Sequence, residues 1–148
     1  MESRAQLLET AAALNAGAIH LLRGLADVDR RSGLTPARLS ALSVLVFAGP
    51  RSIGRLADAD GVASPTMTRI VDGLERLGLA VRSTHPDNGR ISLVSATPAG
   101  RSLMLRAARR RAASIAAGLA SLPRNEREAI VAAADAISAL AAALPAAS

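Results

Sequence analysis

Ser64, Thr66, Thr68 and Arg69 lie together in the stretch "SPTMTR". They offer short hydroxyl groups and one planar cation. Such groups hydrogen-bond base edges and phosphates, and arginine in particular pairs with guanine through two parallel bonds. They do not amount to catalytic machinery. No nucleophile–base pair, paired catalytic carboxylates or Gly-rich phosphate loop occurs elsewhere in the chain. The two histidines, His20 and His85, lie in different regions without neighbours at metal-ligand spacing. His20 reads as a polar surface or interface residue, and His85 as a phosphate-facing or solvated turn residue. Without cysteine, disulfides, thiol redox sensing and thiolate metal sites are excluded. Neither an enzyme nor a bound cofactor or metal is expected.

The elements around "SPTMTR" decide what it can touch. Ser52 is placed to cap a helix from Ile53 to Asp60, with Ile53, Leu56 and Ala57 inward and Gly61 closing it. Ser64 is the next cap, with Pro65 at the first helical position. That helix, residues 64–77, turns Ile70, Val71, Leu74 and Leu77 inward, while Thr66, Arg69 and Arg76 share the other side. A short helix, a tight turn with Gly and a second capped helix make either a helix-turn-helix or an ordinary helical hairpin. The residues after Gly78 favour the first. "LAVRS" has strand character, with Leu79 and Val81 on one side and Arg82 on the other. "THPDNG" is a turn, with Pro86, Asp87, Asn88 and Gly89 at its tip. "RISLVSA" is a second strand, in which Ile91, Leu93 and Ser95 alternate against Ser92 and Val94. Two strands after a helix-turn-helix form a wing, and Arg90 at its tip is a candidate for a minor groove.

Longer helices flank this unit. Residues 4–31 carry Leu7, Ala11, Leu14, Ala18, Leu21, Leu25 and Val28 at alternating spacings of four and three, a seam of heptad type. Gly17 and Gly24 weaken this helix by about 1 kcal/mol each, so it needs support from packing. Thr35 and Pro36 start a second helix with Leu39, Leu42, Val46 and Phe47 as its buried face; Gly49-Pro50 ends it. Thr97-Pro98 starts a helix to about Leu122, in which Arg109 to Arg111 read as a solvated face. After Pro123, residues 124–144 repeat the heptad spacing with Ile130, Ala134, Ile137, Ala141 and Leu144, and Pro145 ends the helix. The fold class is mainly α with a small β-wing.

Charge concentrates where the hydroxyls are. Residues 51–111 hold 11 arginines and 5 acids, a balance of 11 − 5 = +6, while the remaining residues hold 7 of each. A localised basic block is either a solvated face or a phosphate-binding surface. All the basic residues other than histidine are arginine. Half of the 148 residues are apolar, yet Phe47 is the single aromatic, which suits closely packed helices better than an aromatic-lined pocket. No apolar run approaches the roughly 20 residues of a membrane span, and the N-terminus lacks a signal-peptide layout. No membrane partner and a cytoplasmic location are expected.

Over nearly its whole length the chain resembles the MarR family of bacterial winged-helix transcriptional regulators. The most specific stretches are "SPTMTRIVDGLERLGL" and "DNGRISLVSATPAG". The resemblance implies a homodimer in which helices near both termini interlock, and winged helices that each read half of a palindromic operator. It also implies, for many members, a small anionic or phenolic effector bound between the two regions. Three departures stand out. The family's Asp-x-Arg wing motif keeps Arg90 but has Asn88 in the Asp position, with Asp87 beside it; Asn orients an arginine more weakly than Asp. Position 73, often a long basic residue in relatives, is Gly73, which removes one possible DNA contact. The cysteines of the thiol-oxidant-sensing branch are missing.

The expectation is a DNA-binding regulator, a repressor, that partners double-stranded DNA and a second copy of itself. Residues 35–97 form the winged helix-turn-helix; 1–34 and 98–148 form the helical dimerisation region. Ser52, Ser64, Pro65, Thr66, Thr68, Arg69, Arg76, His85, Asn88 and Arg90 are the DNA-binding candidates. Leu7, Leu14, Leu21, Ile130, Ile137 and Leu144 are the dimerisation candidates. A winged helix that binds other proteins is the alternative.

Overall fold

The computed structural model describes residues 3–85 and 88–144, with the side chains of 85 and 88–91 left aside. Six helices and three strands succeed one another in order: α1 Arg4–Arg30, α2 Pro36–Phe47, β1 Arg51–Ser52, α3 Ile53–Asp60, α4 Ser64–Arg76, β2 Ala80–His85, β3 Asn88–Ala96, α5 Pro98–Ser121 and α6 Arg124–Ala143. Among the described residues no helix is long and apolar enough to cross a membrane. Pro86, Asp87 and Pro145, expected as wing tip and helix stop, lie outside the described residues.

Local signals set most helix starts. A capping box opens α1: Gln6 N–H donates to Ser3 Oγ (3.2 Å) and Ser3 N–H to Gln6 Oε1 (2.8 Å). Thr35, Ser52 and Thr97 each accept from the backbone N–H three residues on. The start of α4 differs from expectation. Its cap is Ala63, with no side-chain bond, and Ser64 and Pro65 are the first and second helical residues. The Ala63 carbonyl already accepts from Met67 N–H at 3.1 Å, so the helix begins one residue earlier.

The core lies where α2, α3 and α4 meet the sheet. Leu42, Leu56, Met67, Val71, Leu74 and Val94 are completely buried. Removing side chains of this size from water stabilises by about 1.5–3 kcal/mol each. Two expected core residues are outside it: Phe47 is 63% exposed and Leu77 51%. Phe47 is one residue past buried Val46, which rotates it about 100° away from the inner stripe. Leu77 is the C-cap of α4, beyond the last full turn. Met67, absent from the expected inner stripe of α4, takes a core place instead.

The antiparallel sheet has the order β1-β3-β2. Two-residue β1 was not anticipated; it pairs Arg51 with Val94 and Ser52 with Leu93. The expected facing of the wing strands is reversed. Ala80 and Val94 point into the core while Val81 is half-exposed, and Arg82 sits directly opposite Val94. Residues opposite one another in a ladder share a face, so Arg82 points toward α4, where its partners are.

Two contacts tie the long helices to this unit. At the start of α5, Thr97 Oγ1 donates to the Gly78 carbonyl (2.7 Å) and Thr97 N–H to the Leu79 carbonyl (3.0 Å). At its middle, Arg111 Nε and Nη2 each lie 2.7 Å from an oxygen of Asp29 on α1. Arg110 donates to the Arg31 carbonyl at 3.2 Å. The solvated reading of Arg109 to Arg111 therefore holds for Arg109 alone; the other two fasten α5 to the end of α1.

Gly100 marks the closest approach of α5 to the sheet. A Cβ there would overlap the Leu79 carbonyl oxygen, 3.0 Å from its carbon and 3.2 Å from Leu42 Cδ1. Backbone cannot yield as a flexible side chain can. Gly100→Ala should thus destabilise the protein by about 1–3 kcal/mol, although alanine is the better helix former. A lower urea midpoint checks this; an unchanged or higher midpoint would show that α5 can slide.

Candidate nucleic-acid interface

The polar side of α4 is a consequence of its apolar side. Met67, Val71 and Leu74 are at i, i+4 and i+7 and are all fully buried, which pins the rotation of the helix about its axis. Thr66, Arg69 and Arg76 then face outward, and all three are exposed. Ser64 and Pro65 are exposed at the helix start. Thr68 is exposed too, but its Oγ1 donates to the Ser64 carbonyl at 3.0 Å, so it bonds within the first turn. Arg76 Nε donates to the Asp72 carbonyl at 3.3 Å, which lays its stem along the helix.

Ser52 is half-buried and caps α3 by accepting from Arg55 N–H at 3.3 Å. Its hydroxyl proton is left as a donor. A left-handed Gly61 (φ 64°) turns the chain between α3 and α4, and Val62 N–H closes the turn on the Ala57 carbonyl at 3.0 Å. The structure therefore brings Ser64, Pro65, Thr66, Arg69 and Arg76 onto one helix behind a tight turn. The side chains of His85, Asn88 and Arg90 lie outside the described residues.

Sequence reasoning missed the group that joins this helix to the wing. Arg82 on β2 donates through Nη2 to Asp72 Oδ1 (2.8 Å) and through Nη1 to Glu75 Oε2. Its backbone N–H also donates to Glu75 Oε1 at 2.9 Å. Both acids of α4 thereby gain a cationic partner from the wing strand. Acids at i and i+3 followed by an arginine at a strand start were the visible signal. Nearby, Arg51 Nη2 donates to the Ala48 carbonyl (3.2 Å), while its Nε is buried without a partner among the described residues.

A buried-backed helix presenting threonine and arginine, set after a tight turn and clamped to a β-hairpin, is the arrangement of a winged helix. A family model described as MarR family matches residues 32–91. An HTH-type transcriptional regulator of Mycobacterium bovis is 36% identical over 127 residues, covering 86% of this chain and 89% of that one. The chain belongs to the MarR family. Its solved relatives in fold include a MarR family protein from Bacillus stearothermophilus, with TM-score 0.78 at 22% identity over 95% of this chain and 96% of that one. NadR, solved in complex with 4-hydroxyphenylacetate, has TM-score 0.68 at 20% identity over 90% of this chain and 92% of that one. This MarR protein is accordingly a DNA-binding transcriptional regulator rather than an enzyme.

The Arg82 clamp has a measurable worth. Arg82→Ala would leave Glu75 partly buried without its cation, and should cost about 1–3 kcal/mol. Arg82→Lys should recover only part, since an ammonium cannot span both carboxylates as the guanidinium fork does. Urea midpoints of the two variants decide the matter. Equal stability of all three proteins would mean that the clamp does not hold α4 to the wing.

Proposed function

We propose that this MarR protein is a homodimeric repressor whose two α4 helices enter successive major grooves of a palindromic operator. The observation that carries the reading is the outward stripe of Thr66, Arg69 and Arg76 on a helix whose rotation is fixed by burial. Ser64, Pro65 and Thr68 contribute first-turn contacts, and Ser52 a phosphate contact at the start of α3. The wing, with His85, Asn88 and Arg90, tracks the adjoining backbone or minor groove. Acting on chromosomal DNA, the protein works in the cytoplasm. The reading as a protein-binding module predicts instead no salt-dependent affinity for duplex.

Dimerisation through residues 1–34 and 98–148 is supported by what these helices leave uncovered. Among its described residues α6 buries none. Leu7, Leu14, Leu21, Ile130, Ile137 and Leu144 are all between 42% and 65% exposed. Leu14, Leu21, Ile130 and Ile137 line one apolar groove between α1 and α6, floored by Gly17 and Ala18. A two-fold related copy brings a matching surface. The winged helix is residues 35–97, and most of the buried core belongs to it rather than to the termini.

A cavity of about 230 Å³ lies between α1, α2 and α5, walled by Asp29, Leu39, Ser40, Ser43, Met104 and Arg111. NadR's ligand is an anionic phenol. For a small anionic or phenolic effector the serine oxygens offer acceptors for a hydroxyl, and Arg111, whose Nε and Nη2 are held by Asp29, keeps Nη1 for an anionic group. Effector binding would release the operator.

Two measurements test the core of the proposal. Arg69→Ala should weaken operator binding by roughly 1–3 kcal/mol and relax preference at one base per half-site. Selection of bound duplexes from a random pool supplies the operator. An equal loss on operator and scrambled duplex would demote Arg69 to a phosphate contact. Leu21→Glu would bury an unpaired carboxylate in the apolar seam, costing several kcal/mol, and should dissociate or unfold the protein. Sedimentation equilibrium at micromolar concentration reads this directly. A monomeric wild type, or a dimeric variant with full operator affinity, would contradict the assignment of the termini.

A further inference from the structure

The outward stripe of α4 is bordered by a buried glycine, Gly73. Thr66, Arg69, Gly73 and Arg76 succeed one another at spacings of three, four and three, which puts them on one side of the helix. Three of the four carry polar side chains, and the fourth carries none. The backbone does not explain the glycine, because Gly73 is not among the residues with positive φ. Glycine within a helix is also less favourable than alanine. What explains it is a side chain from another helix. An ideal Cβ at position 73 would lie 2.5 Å from Arg38 Nε, 2.6 Å from its Nη2 and 2.7 Å from its Cζ. The guanidinium of Arg38 rests on the Gly73 backbone, in the volume that a side chain there would fill.

Arg38 stands in the first turn of α2, where its backbone N–H donates to Thr35 Oγ1 at 3.4 Å. The residue is half-buried. Among the described residues it takes part in no ion pair, and the two acids of α4 are occupied by Arg82. The result is a cation seated over Gly73, which lies four residues after Arg69 and three before Arg76 on α4, and restrained by the notch beneath it.

We propose that Arg38, seated on Gly73, is a DNA phosphate contact of this protein, supplying from α2 the positive charge that α4 itself lacks at position 73. The proposal rests on the DNA-binding reading of α4. A guanidinium set back from the helix crest reaches the backbone flanking the groove rather than a base edge, so its contribution is independent of sequence. Gly73 is the positioning residue: it touches no DNA, and it acts by leaving room.

The test uses full-length protein and a fluorescent duplex of random sequence, titrated with salt, with thermal melting of each variant alongside. Arg38→Ala should lower affinity roughly fivefold near physiological salt and reduce the slope of log K against log salt by about one. Gly73→Ala should melt at or above the wild-type temperature, because alanine favours the helix and only the mobile end of an arginine has to move. Yet it should weaken binding, since the new methyl displaces the guanidinium. Adding Gly73→Ala to Arg38→Ala should cause no further loss, and Gly73→Arg with Arg38→Ala should recover the slope. Wild-type affinity and slope in Arg38→Ala, or in Gly73→Ala, would overturn the assignment and leave the guanidinium as packing. A wild type that binds the duplex without salt dependence would overturn the DNA-binding reading itself, and this proposal with it.

Discussion

The burial of one stripe of α4 is the constraint from which the interface derives. Met67, Val71 and Leu74 have no exposed surface, and neither do Leu42, Leu56 and Val94 around them. A helix so held cannot rotate without opening a cavity, which costs several kcal/mol for residues of this size. The direction of Thr66 and Arg69 is therefore decided by residues that touch nothing outside the core. The polar residues add local precision to that: Arg82 fixes the flank of the helix to β2, and Gly61 fixes its start relative to α3.

Attachment of the long helices obeys a different logic. The joint between α5 and the winged unit relies on close backbone approach at Gly100, supported by the Thr97 hydroxyl on Gly78. The joint between α5 and α1 relies on the bidentate Asp29–Arg111 pair. The first is short-range and sterically unforgiving. The second is a pair of charge-assisted bonds whose arginine is 37% exposed, so water and ions weaken it. Rigidity is thus concentrated at the sheet end of α5, and the α1 end is the softer connection.

What could be read from the sequence was local. Thr35, Ser52 and Thr97 are caps because their side chains meet backbone three residues away, and a reader of the sequence sees both partners. The heptad spacing of Leu7, Leu14 and Leu21, and the helix-turn-helix around Gly61, are legible for the same reason. The misses were decided by partners distant in sequence. Strand β1 exists only because Val94 and Leu93 pair with its two residues. Arg82 looked outward as a charged residue on an alternating strand, and it turns inward to two carboxylates. Arg111 sat in a run of three arginines, and only the fold brings Asp29 beside it. Ser64 was the better capping residue by type, yet the Ala63 carbonyl made the bond that starts α4. In the candidate interface, the outward residues of α4 were legible from periodicity alone, whereas what holds that helix was not.

The cations of α4 are arginines: Arg69 and Arg76 are exposed, and no lysine occurs anywhere in the chain. Guanidinium keeps its proton throughout the physiological range. It is also not a substrate for acetylation, which abolishes the charge of lysine in other basic surfaces. The positive charge of this helix is in that sense independent of the acetyl-donor supply. A change in what this helix can grip would come from where the helices stand, not from how strongly they are charged.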